Sequence, residues 1–250
     1  MLSGWLARGL DAKRVAVIEP QPSGEISALA TKGVRLNPSP KQIGSITTLV
    51  IALKPQTFRE AGRALKSFSG PSTLVVSIMA GTTIASIEAA CGGSVVRAMP
   101  NTPAAIGRGI TVAVAAKNVS TTQRAVADAL LRATGSVEWV DDESLMDAVT
   151  AVSGSGPAYI FLLAEELARA GVEAGLPQEL ATKLARETVA GSGELLHRSD
   201  APSATLRQNV TSPGGTTAAA LEVLMAEGGL ERLMTAAIAA ATKRSRDLAG

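Results

Sequence analysis

The chain has 250 residues, 46% apolar and 18% charged, and its 24 basic and 22 acidic side chains leave a net charge of +2. That is an ordinary globular composition with room for one or two domains, and it excludes collagen-like, disordered and disulfide-stapled chains. A basic excess this small, with only 2% aromatic residues, also argues against nucleic acid as a partner, because phosphate binding needs clustered cations and single strands need stacking platforms.

The opening Met1-Leu2-Ser3-Gly4-Trp5-Leu6 has a helical pattern and lacks the basic-apolar-small order of a signal peptide. VAVIE (15–19), TLVIAL (48–53), TLVVSIM (73–79) and GSVVRAM (93–99) are short β-branched runs, expected to be strands buried on both faces. Helical segments at 23–32, 55–67 and 82–91 separate them and end near Gly33, Gly70 and Gly92. This alternation predicts a parallel sheet of the doubly wound α/β class. GITVAVAA (109–116) and SVEWV (136–140), around a helix at 121–133, add two further strands.

From Ser144 the strand pattern stops, and helices are predicted at 157–176, 177–197, 202–209, 213–227 and 229–247. The domain boundary is therefore placed between residues 143 and 144. The helical half is very apolar, as in ATKLARETVAGSGELL and MTAAIAAATKR. Such surface predicts a contact with a second copy of the chain, a self-contained helical bundle being the alternative. Residues 1–143 hold 15 basic and 10 acidic side chains, a net +5, and the rest hold 9 and 12, a net −3; affinity for an anionic cofactor is expected in the first half. No run of 18 apolar residues suggests a membrane partner, and the single Cys91 cannot form an intramolecular disulfide, so the expected location is the cytoplasm.

His197 is the only histidine, and no Cys, His and carboxylate cluster stands at ligand spacing. Neither a metal site, a serine triad nor a pair of glycosidase carboxylates is expected. What remains is a set of loops at the carboxyl ends of the strands, where open α/β sheets bind ligands: Ala52-Leu53-Lys54-Pro55, Ser77-Ile78-Met79-Ala80-Gly81 and Arg97-Ala98-Met99-Pro100-Asn101-Thr102-Pro103. Any one of them could be a plain turn. SGSGPAY (153–159) runs glycines into a helix start, and TSPGGTT (211–217) sets a hydroxyl cap, a proline and two glycines at a helix head. A cap does not need Gly214-Gly215, which cost helix stability of up to about 1 kcal/mol each; free amides there suit a small carboxylate.

ALKP (52–55), RAMPNTP, SGSGPAY and TSPGGTT, in this order and spacing, closely resemble the pyrroline-5-carboxylate reductase family, and the likeness covers essentially the whole chain. It implies an N-terminal dinucleotide-binding, Rossmann-like domain at 1–143. A helical dimerisation and substrate domain at 144–250 would follow, interlocking with a partner subunit in dimers or rings of dimers. The implied reaction is hydride transfer from NADPH or NADH to the C=N carbon of 1-pyrroline-5-carboxylate, giving L-proline. A protonated cyclic imine is already electrophilic and needs orientation more than a strong acid or base.

Carried over by the same likeness, Gly215 and Thr216 would hold the substrate carboxylate and the catalytic Thr217 hydroxyl would face the ring nitrogen. Asp200, Asn209 and Ser155 would lie near that pocket. Ala52, Lys54, Pro55, Ala80, Gly81 and Asn101 would line the nicotinamide side of the cofactor cleft. Glu19, ending VAVIE, would meet a ribose 2′-hydroxyl, which favours NADH, whereas the family often uses NADPH. Both cofactors stay open. The family pattern begins with a strand and a Gly-x-Gly-x-x-Gly loop, and Met1-Leu2-Ser3-Gly4-Trp5-Leu6 resembles the helix after that loop. The expectation is a dinucleotide domain shortened at its N-terminus, with either an earlier start or weakened cofactor binding, and VAVIE as an unprotected edge. A related imine reductase or β-hydroxyacid dehydrogenase, and a truncated non-catalytic dimer, are the competing readings; TSPGGTT argues against the first two.

Overall fold

The computed structural model describes residues 1–249, apart from the side chains of Arg59, Arg63 and Ala249. By packing, the chain divides into two units, Met1–Gly154 together with Thr242–Gly250, and Ser155–Ala241. Residues 144–154, assigned from sequence to the helical half, thus pack with the first unit, as do the last turns of the C-terminal helix.

The first unit runs α1 (Leu2–Ala7), β1 (Ala16–Val17), α2 (Gly24–Ala30), β2 (Arg35–Leu36), α3 (Pro40–Ile43), β3 (Thr48–Ile51) and α4 (Pro55–Leu65). There follow β4 (Leu74–Ser77), α5 (Ile84–Cys91), β5 (Ser94–Met99), β6 (Gly109–Ala115), α6 (Thr121–Arg132), β7 (Gly135–Trp139) and α7 (Met146–Val149), then a wide π-type turn over Thr150–Gly154. Short polar side chains fix the helix starts: Ser23 accepts from the Ile26 N–H, Thr83 from Ser86, and Ser120 with Gln123 closes a capping box.

Five strands form one sheet in the order β3-β4-β5-β6-β7. β3, β4 and β5 are parallel, but β6 runs antiparallel to β5, and β7 is parallel to β6. The parallel pairing expected of the runs at 48–53, 73–79 and 93–99 is present, and β6, whose direction the sequence leaves open, reverses for a physical reason. Residues 100–108 contain only a tight turn at Thr102–Ile106, whereas a crossover to a parallel strand takes about a dozen residues or more. Between β6 and β7 α6 supplies that crossover, and those two strands are parallel.

Alternation along the strands builds two apolar layers. Leu74, Val76, Val96, Ala98, Ala113 and Val137 pack with Ala127 and Leu131 of α6 on one face. On the other, Ile51, Val75 and Val95 pack with Phe58 of α4 and with Ile87 and Cys91 of α5. Leu74, Val75, Val76, Val95 and Val96 are at most 1% exposed, and each such side chain stabilises the fold by about 1.5–3 kcal/mol. The Trp5 indole N–H donates to the Leu130 carbonyl (2.7 Å), tying α1 to α6.

VAVIE departs from expectation. Only Ala16–Val17 is strand, half-buried rather than buried on both faces, and Ile18 is 48% exposed. Its only ladder among the described residues is to β2, an element not anticipated from sequence, and none joins it to β3. A two-residue ladder on one side cannot extend or bury the run.

The second unit holds α8 (Gly156–Glu173), α9 (Gln178–Arg198), α10 (Ser203–Asn209), α11 (Thr216–Leu224) and the part of α12 (Leu230–Ala249) up to Ala241. Pro157 sits in the first turn of α8, where its missing N–H costs nothing. Within this unit only Ala181 and Ala185 are buried, while Phe161 (66%) and Val223 (74%) stand open to solvent.

Candidate active site

In the first unit, the register of the parallel strands lines up three loops at one sheet edge. Ile51 pairs with Ser77 and Ser77 with Arg97, so the segments after them emerge side by side, about 4.8 Å from strand to strand. Ala52, Lys54 and Pro55 of the first loop therefore leave the same end of the sheet as Ala80 and Gly81 of the second and Asn101 of the third. Lys54 caps α4 through backbone geometry alone and Pro55 occupies its first turn, leaving the helix head open to an acceptor. The Ser77 hydroxyl accepts the Met79 N–H, which bends the chain out of β4. Asn101 has a structural duty too: its side-chain oxygen accepts the Ile110 N–H (3.0 Å) and clips the turn to β6.

Glu19 stands apart from this edge, since β1 belongs to the small second sheet. Its N–H donates to Asn37 Oδ1 and its carbonyl accepts from Asn37 Nδ2, while one carboxylate oxygen accepts the Gln21 N–H. The carboxylate is thereby held at the strand end as an acceptor.

In the second unit, Ser155 precedes α8, Asp200 lies in the turn between α9 and α10, and Asn209 ends α10. The TSPGGTT turn follows and opens α11, with Thr216 and Thr217 as its first residues. The expected Ser212 hydroxyl cap is corrected: Gly215 is the N-cap, and no side chain caps α11. Part of the glycine excess belongs to the turn itself, because Gly214 has φ +69°. No side chain caps this helix head, although the Gly215 N–H donates to the Ser212 carbonyl (3.0 Å) within the turn.

Two features escaped the sequence reading. Met99, at the end of β5, packs on Gly154 so closely that a Cβ there would fall 2.4 Å from the methionine methyl. Arg97, treated as part of a loop motif, is a buried cation held by Glu143 and close to Asp147. A lone arginine in the apolar strand SVVRAM was the available signal, for such a charge must find a carboxylate. The single thiol offers no nucleophile, because burial pushes the Cys91 pKa up. Among the described residues no group of three or more His, Cys, Asp or Glu could hold a metal ion.

The family model described as pyrroline-5-carboxylate reductase dimerisation matches residues 143–248. The pyrroline-5-carboxylate reductase of Pseudomonas aeruginosa is 38% identical over 252 residues, covering 100% of this chain and 92% of the relative. The chain belongs to the pyrroline-5-carboxylate reductase family. Among solved structures, the family member from Coxiella burnetii superposes with a TM-score of 0.89 at 35% identity, covering 100% of this chain and 93% of that one. The Plasmodium falciparum member, solved with NADP bound, gives 0.82 at 29% identity and covers 99% and 92%. The chain thus shares its fold with these solved members, and its helical segment matches the dimerisation model.

Proposed function

We propose that this chain reduces 1-pyrroline-5-carboxylate to L-proline with NADPH or NADH, the substrate carboxylate resting on the head of α11. The observation that carries the reading is the match of the entire chain to relatives of that name; nothing in these relatives favours an imine reductase, a β-hydroxyacid dehydrogenase or a non-catalytic dimer. No helix among the described residues is long and apolar enough to cross a membrane, which is compatible with a cytoplasmic enzyme.

The residues present fit the nicotinamide half and a ribose of the cofactor. Three aligned strand-end loops and the uncapped head of α4 offer backbone groups to a planar amide ring, and the Glu19 carboxylate offers an acceptor to a ribose hydroxyl. When bound, the reduced nicotinamide supplies a hydride to the C=N carbon. The chain's own part is orientation and charge placement. Ala52, Lys54, Pro55, Ala80, Gly81 and Asn101 hold the ring side of the cleft. The backbone at Gly215 and Thr216 takes the carboxylate, the Thr216 amide facing it while the Gly215 N–H stays on the Ser212 carbonyl, aided by the helix dipole. The Thr217 hydroxyl meets the ring nitrogen as it passes from iminium to amine, and Ser155, Asp200 and Asn209 line the substrate pocket. The active form is a homodimer or a ring of dimers.

Steady-state kinetics of Thr217 variants test this reading. Thr217→Ala deletes a hydrogen bond that matters most in the transition state, so kcat falls about tenfold, or about 1.4 kcal/mol, while KM changes less. Thr217→Ser keeps the hydroxyl and stays near the parent. An alanine variant with kcat/KM within about twofold of the parent would reduce Thr217 to a helix-start residue.

A further inference from the structure

The first unit carries a cation in the middle of its sheet. Arg97 is 4% exposed, flanked in register by Ser77 on β4 and Val114 on β6. One guanidinium nitrogen donates to Glu143 Oε1 at 2.9 Å and the other lies 4.0 Å from Asp147 Oδ1. Neither carboxylate serves Arg97 alone. Glu143 Oε1 also accepts the Ile84 N–H at the head of α5 (2.8 Å). Asp147 Oδ1 accepts the Ser245 hydroxyl of α12 (2.7 Å), and Arg246 Nε lies 3.8 Å from its other oxygen. Two cations thus face two anions, and only a planar fork in the place of Arg97 can address both carboxylates.

What this arrangement holds still is the edge already described. Ser77 is the last residue of β4 before Ile78-Met79-Ala80-Gly81, and Ile84 follows that loop. The loop is therefore fixed at its start by the ladder to Arg97 and at its end by a carboxylate that Arg97 orients. α12 closes the same loop from outside: a Cβ at Gly81 would fall 3.0 Å from Leu248 Cβ and 3.1 Å from the Ser245 carbonyl. β5 itself leads directly into the Asn101 turn. A buried ion pair is weak evidence for stability, since well-packed apolar groups often serve as well; what it does provide is a fixed mutual position of three backbone segments. We propose that Arg97 is a positioning residue for the nicotinamide cofactor, acting through Glu143 and Asp147 to hold loop 78–83 beside the end of β5. This rests on the reading of Ala80, Gly81 and Asn101 as the nicotinamide side.

The test uses three variants of the full chain. Arg97→Lys keeps a charge but can serve only one carboxylate, Glu143→Ala removes the acceptor for Ile84, and Glu143→Gln keeps an acceptor oxygen for both donors. Amide hydrogen exchange of residues 80–84 is compared with that of Val75 and Val76 in the cofactor-free protein, and NADPH and NADH dissociation constants come from fluorescence titration. Arg97→Lys and Glu143→Ala should speed exchange at 80–84 by at least about fivefold more than at Val75 and Val76, and weaken cofactor binding by a similar factor. Glu143→Gln should bring both readouts back to within about twofold of the parent, and this Ala and Gln pair decides the matter if Arg97→Lys fails to fold. Unchanged exchange at 80–84, or faster exchange with unchanged cofactor affinity, overturns the proposal. A parent chain that binds neither NADPH nor NADH overturns the cofactor reading itself, and the proposal with it.

Discussion

The two units satisfy their apolar residues in opposite ways. In Met1–Gly154 the strands hide Val75, Val95 and Val96 completely, and helices cover both sheet faces. In Ser155–Ala241 long amphipathic helices leave Phe161, Leu162, Leu163 and Leu233 more than half exposed, and the buried side chains are two alanines. The first unit is a finished core, whereas the second is half of one, and its missing half is best supplied by a second copy of the same helices. That difference separates where the chain gets its stability from where it gets its assembly.

The largest effect should come from a charge on the open helix face. Phe161→Glu places a carboxylate where an aromatic anchor would be desolvated. Light scattering should then show monomer at concentrations where the parent is a dimer, with a dissociation constant raised by about a hundredfold or more. A dimer of parental strength would show that α8 does not carry the contact. The complementary change in the finished core is Leu74→Ala, expected to cost about 3 kcal/mol of unfolding free energy by denaturant titration, with the dimer contact itself untouched. If instead Leu74→Ala weakened the dimer and spared the fold, the contrast between the units would be mistaken.

These elements were also the legible ones. β4 and β5 are continuous β-branched runs that read as doubly buried strands, and Pro157 and Gly175 bracket α8 closely. VAVIE has the same composition, but burial depends on neighbouring strands, and the run pairs only through Ala16–Val17. The direction of β6 was hidden because it depends on the length of the connection at 100–108, not on the residues of the strand. The strand-end loops and TSPGGTT were readable as motifs, whereas the Arg97 bridge joins residues far apart in sequence. The cap of α11 was misplaced by three residues because Ser212 has the right chemistry and the chain turns after it.

A finer contrast concerns surface charge, which should matter little even on the rigid unit. Asp128 accepts from Arg132 Nε (2.7 Å) and from the Trp139 indole (2.9 Å). The Arg132 hydrogen bond, chiefly, holds its carboxyl below the usual range against partial burial, with help from Trp139 and nearby positive charge. A depressed carboxylate stabilises the fold above the ordinary carboxylate range and loses that contribution as pH falls through its folded-state value. Asp128→Asn should therefore cost about 0.5 kcal/mol at neutral pH, and the gap to the parent should close in acid. A gap that stayed constant in acid denaturant titrations would assign the loss to packing.

The reaction of this family moves a hydride, and isotope transfer follows that hydride from cofactor to product. Reduced cofactor carrying deuterium at its transferable position is incubated with 1-pyrroline-5-carboxylate and the purified chain, and the product is examined by mass spectrometry and NMR. The expected product is L-proline with one deuterium on the former imine carbon for each cofactor oxidised. Cofactor that remains reduced, or proline that forms without the label, would contradict it.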